Sequence, residues 1–173
     1  MTITPDDKDW TWVLDRRCPE CGYDSTQITR SELPAATRST AATWQTVLEG
    51  DDVAMRPSPS VWSPLEYACH VRDVYSLFGQ RVALMLAEDD PQFENWDQDA
   101  TAVQGQYSEQ DPARVSVDLG AAAASLAALF ESVPADAWER PGRRSNGSRF
   151  TVDSLGRYYL HDVVHHLHDV GVE

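Results

Sequence analysis

The sequence predicts an all-α protein, a four-helix bundle preceded by an N-terminal zinc-knuckle-like arm. Three observations carry this. Four stretches hold apolar residues at helical spacing with start signals ahead of them, the connections between them are long, and no internal repeat or strand-type alternation interrupts them. The last stretch, residues 151–170, also gathers four of the five histidines, His161, His165, His166 and His168, with two carboxylates among them.

The chain has 173 residues, enough for one domain with a substantial core. Its formal charge is −14, with Lys8 the single lysine, which argues against a nucleic-acid backbone or an anionic membrane as partner. The polar first nine residues and the lack of an unbroken run of eighteen apolar residues lead to the expectation of a cytoplasmic protein. Three cysteines do not form a disulfide framework.

Residues 1–30 form the arm, and residues 31–173 the bundle. In the arm Cys18, Pro19, Glu20, Cys21 and Gly22 have the form of a zinc knuckle, whose tight turn aims two thiolates at one ion. A knuckle supplies two ligands, and a structural zinc needs two more. His161 and His165, four residues apart, would complete a Cys2His2 set; a pair of free or redox-active thiols is an equal alternative.

The first helix is expected over residues 33–48, with Ala36, Thr40, Trp44, Val47 and Leu48 on its apolar side. A proline-marked loop, residues 51–60, leads to the second helix, where Ser63 is the N-cap, Pro64 occupies the first helical position and Glu66 completes a capping box. That helix runs to about residue 87. His70 lies at the border of its apolar stripe, with Cys69 and Asp73 directed away from it. Residues 88–107 form a long connection in which Trp96, Asp97 and Asp99 are candidates to line a pocket. The third helix starts at Asp111 and Pro112 and reaches about residue 132 through an alanine-rich stretch that implies close approach to a neighbour. After it, Arg143 and Arg144 form a positive spot able to receive an anionic substrate group.

On a wheel of about 100° per residue, Val152, Tyr159, Val163 and Val170 of the last helix share one line, flanked by Leu155, Leu160 and Leu167. Asp162 and His166 border this buried side one turn apart, so both can reach one ion. His161, His165 and His168 fall on nearly the opposite side. One helix therefore carries two distinct histidine sets.

With Trp62, Ser63, Pro64, His70 and Asp73 on the second helix and Asp162, His165, His166 and Asp169 on the fourth, the sequence resembles the DinB/YfiT-like superfamily. More narrowly, it resembles the actinobacterial branch related to mycothiol-dependent maleylpyruvate isomerase. The likeness spans most of residues 31–171 and leaves the Cys18–Cys21 arm as an addition. It implies an antiparallel four-helix bundle holding a divalent metal, usually zinc or nickel; for this chain zinc comes first, with nickel or iron as alternatives. It also implies three ligands: a histidine on the second helix, matched by His70, and a His or Glu followed four residues later by a His on the fourth. Two pairs fit the latter, His161/His165 and Asp162/His166. The second pair is favoured because it borders the buried stripe and because Asp169 follows where isomerase-like members carry an acidic residue. Asp in place of Glu or His is a departure that shortens the reach.

The activity so implied is that of a metal-dependent thiol S-transferase, in which a low-molecular-weight thiol such as mycothiol attacks an electrophilic small molecule. Arg143, Arg144, Trp96, Asp97 and Asp99 would form the substrate shell, and a homodimer is compatible with the family. The alternative is a non-catalytic metal- or ligand-binding DinB-like domain with a structural zinc site.

Overall fold

The computed structural model describes residue 3 and residues 9–172. The opening of the expected arm, including Lys8, lies outside the described residues, as does Glu173. The four expected helices form as α1 (Leu33–Val47), α2 (Pro64–Ala87), α4 (Pro112–Ser132) and α5 (Val152–Asp169), and a short helix α3 (Gln98–Gln104) lies in the second connection. Both α1 and α2 pack against α4 and α5. The long connections permit that arrangement, since a short loop would force consecutive helices side by side. Although α4 is long and apolar enough to cross a membrane, its apolar character is largely alanine and it is packed between α1 and α2, as bundle-core helices are.

Local chemistry sets the helix starts. Ser63 Oγ accepts from Glu66 N at 3.2 Å while Glu66 Oε2 accepts from Ser63 N at 2.9 Å, the expected reciprocal cap. Asp111 caps α4 by accepting from Arg114 N, and Thr151 with Ser154 makes a second capping box at the start of α5.

Three details differ from the sequence reading. Of the side expected to face the core on α1, Trp44 and Leu48 are buried, but nearer its start Leu33, Thr37 and Ala41 take the place of Ala36 and Thr40, because Thr37 turns inward to bond Tyr159. Cys69 is fully buried rather than outward, since the second connection folds back over α2 and places Tyr107 upon it. Among the described residues three short strands also form, β1 (Gln92–Phe93), β2 (Pro141–Arg144) and β3 (Arg149–Thr151). Strand β1 runs parallel to β2, and β2 pairs with β3 in a hairpin. At two to four residues each they are too short to show alternation. The sheet ties the second and third connections together and delivers the chain directly into α5.

The arm lies along α5. Its 3-10 turns Thr11–Leu14 and Ser25–Gln27 both pack there, Tyr23 donates from its hydroxyl to Arg157 O at 2.8 Å, and Val13 is fully buried.

Candidate metal centre

His70 from α2 meets Asp162 and His166 from α5. Each offers one ligand atom, and the three atoms lie within 4.8 Å of one another. Asp162 Oδ1 is 3.1 Å from His70 Nε2 and 3.7 Å from His166 Nε2, so the short aspartate arm reaches the space between both imidazoles. Burial opposes ionisation of Asp162, but the neighbouring His70 and its hydrogen bond outweigh it and bring the carboxyl to about 2. A carboxylate between two converging imidazole nitrogens is a donor set suited to zinc, nickel or iron, and the residues fit such an ion.

The surroundings hold these rings in place. His166 Nδ1 lies 2.8 Å from Asp169 Oδ2, so a carboxylate orients the imidazole from behind. His70 has no exposure, and its Nδ1 has no hydrogen-bond partner among the described residues. Aromatic contact fixes it instead: Trp96 stacks on it at 5.2 Å with planes 14° apart, and Trp62 lies 5.5 Å away. Tyr67 sits 5.0 Å from His166.

A cavity of about 420 Å³ opens over Asp162 and His166. Of the expected substrate shell, Trp96, Asp97, Asp99 and Arg144 line it. Asp97 is partly committed to structure, since it caps α3 by accepting from Ala100 N. Arg143 does not join them. It lies outside the cavity and pairs with Asp90 at 3.6 Å, because successive residues of β2 point to opposite sides. Arg144 faces inward beside Tyr158, its Nη1 donating to the hydroxyl at 3.4 Å.

Arg81 was not anticipated from the sequence. It lines the cavity almost fully buried, stacks on Phe93 at 4.8 Å, donates to Glu94 O at 2.9 Å and leaves Nε without a partner among the described residues. Burial, together with the nearby Arg144, lowers its pKa to about 10. Its sequence signal was present: Arg81 stands three helical turns beyond His70 on the same side of α2.

The second histidine set borders the same cavity from the side of the arm. His161 and His165 are buried rather than outward-facing, because the arm covers them, and their ligand atoms lie within 4.8 Å of those of Cys18 and Cys21. Burial lowers the pKa of His161 to about 4, helped by His165, and raises that of Cys21 to about 11. His168 is exposed at the end of α5.

Fold and side chains together define a helical-bundle protein with a three-residue, metal-type cluster beneath a polar cavity. The chain belongs to the DinB superfamily, whose sequence profile matches residues 30–170. Among solved structures it is similar to YfiT from Bacillus subtilis, described as a probable metal-dependent hydrolase with an unusual four-helix bundle topology. The match has a TM-score of 0.73 and 17% identity, and covers 91% of this chain and 95% of that one. At that identity the likeness speaks for the fold. No curated protein matches the sequence.

Proposed function

We propose that this protein is a metal-dependent thiol S-transferase acting on an electrophilic small molecule, with His70, Asp162 and His166 as metal ligands. The observation that carries the reading is the convergence of these three side chains under a cavity large enough for a small molecule. A divalent ion held by three protein ligands keeps an open position and would lower the pKa of a thiol bound there. The chain's own residues supply the rest. Asp169 orients His166, and Trp96 and Trp62 immobilise His70. Arg144 and Arg81 offer guanidinium groups to an anionic portion of substrate or thiol, in a protein whose net charge would otherwise repel it. The resemblance to the mycothiol-dependent isomerase branch supports a mycothiol-like co-substrate.

A second reading, hydrolysis with water at the same open position, draws on the similar fold of YfiT, described as a probable metal-dependent hydrolase. Thiol consumption with monobromobimane or chlorodinitrobenzene, measured with zinc- or nickel-loaded protein, separates the readings. Metal-dependent turnover that falls at least about 100-fold in His166→Ala is expected. Ester hydrolysis without thiol consumption would replace the transferase by the hydrolase. Metal binding with neither reaction would leave a non-catalytic binding domain.

A further inference from the structure

The knuckle and the remaining histidine pair build a site that the bundle cluster does not use. Cys18 and His161 are 1% and 3% exposed, His165 is 7% exposed, and Cys21 is half-buried; both cysteines are free thiols. Cys18 Sγ is 3.8 Å from His165 Nδ1. In a tetrahedral site with Zn–S of about 2.3 Å and Zn–N of about 2.0 Å, a sulfur and a nitrogen ligand stand roughly 3.6 Å apart, so this edge is already close to the required length.

Two further features point to an ion. His161 Nε2 is buried without a hydrogen-bond partner among the described residues, a desolvation cost that a native core rarely leaves uncompensated. His165 turns its other nitrogen, Nε2, toward Glu20 Oε2 at 3.5 Å and Asp169 Oδ1 at 3.9 Å, the carboxylate backing that metal-bound imidazoles receive. The turn beneath the thiols is formed as a knuckle requires. Gly22 N donates to Cys18 O at 3.0 Å, Cys18 N donates to Tyr23 O at 2.8 Å, and Gly22 takes the left-handed conformation at φ +76°.

We propose that Cys18, Cys21, His161 and His165 hold a zinc ion in a closed four-ligand site, and that this ion clamps the arm onto α5 so that Trp10 forms a wall of the cavity. Four protein ligands leave no open position, which makes the site structural. Trp10 follows from the clamp's position: its ring lies 5.3 Å from His161 and 4.9 Å from His165, and it lines the cavity together with Asp9. Helix α5 thus serves two centres from pairs offset by one residue, 161/165 for the clamp and 162/166 for the bundle site. The inference stands independently of the transferase reading.

The test uses the full chain stripped of metal and reloaded. With cobalt(II), wild type is expected to show thiolate-to-cobalt charge-transfer absorption that survives in His70→Ala and disappears in Cys21→Ser. A wild-type measurement guards against a misfolded variant. Arg16 and Arg17 are exposed next to the knuckle, so trypsin cuts there when the arm releases. Zinc at 100 times its dissociation constant should slow that cut by about 100-fold, because binding multiplies the docked population by 1 + [L]/Kd. No charge-transfer band in wild type, a band that persists in Cys21→Ser, or trypsin cleavage indifferent to zinc would overturn the proposal.

Discussion

At the scale of single residues, the bundle cluster is held by unlike means on its two helices. His70 is fixed by stacked indoles and His166 by a carboxylate. Asp169→Asn keeps the size of the side chain but weakens the charge-assisted contact, so metal affinity is expected to fall roughly 10–100-fold with helix content unchanged. Competition against a chromophoric chelator, with circular dichroism as the control, checks this; unchanged affinity would remove Asp169 from the site. Asp162, His166 and Cys18 were legible as candidate ligands from residue type and spacing, and His70 became one only through the resemblance to the DinB-like pattern. Arg81 was readable only in principle, since a charged residue on a mostly apolar stripe is ordinarily a solvated one at the stripe's edge. What makes it different is the loop carrying Phe93 and Trp96, which closes over it.

At the scale of elements, the helix starts carry measurable weight. Glu66 combines the cap of α2 with a bidentate pair to Arg56, at 2.8 Å and 2.5 Å. Burial raises its pKa, but the bonds from Arg56 and Ser63 prevail and hold it below the ordinary 4.5. A depressed carboxyl contributes stability that is present above its unfolded value and lost as pH falls through the folded one. Glu66→Gln should therefore cost about 1–2 kcal/mol at neutral pH, with the difference from wild type shrinking below pH 4.5. Urea denaturation at a series of pH values tests it, and a constant difference down to pH 3 would contradict it.

Close approach between α5 and α1 gives another test. A Cβ on Gly156 would stand 2.6 Å from Leu33 Cδ1, so Gly156→Ala should destabilise by about 1–3 kcal/mol despite alanine's better helix propensity. A raised melting temperature would show that Leu33 yields freely. The caps of α2 and α4 and the ends of the long helices were legible because capping is decided by neighbours in sequence. The three strands were not, since each is defined by pairing across connections far apart in the chain.

For the whole molecule, a charge of −14 on 173 residues makes self-repulsion a general term against the compact state. Added sodium chloride shortens the range of that repulsion to about 3 Å at 1 M, so the melting temperature of metal-loaded protein should rise between low salt and 0.5 M. A fall would mean that specific ion pairs such as Arg38–Glu131 and Arg114–Asp118 outweigh the net repulsion.

The sequence by itself determined the helical class, the helix starts and the two histidine pairs on α5, because apolar periodicity, caps and i,i+4 spacing are properties of short stretches. Only the tertiary structure decided which pair meets which partner. The bundle brings His70 to Asp162 and His166, and the arm, arriving from about 140 residues away, buries His161 and His165 beside its cysteines. It also turned Arg144 inward and Arg143 outward, a choice made by strand pairing rather than by the identity of either residue.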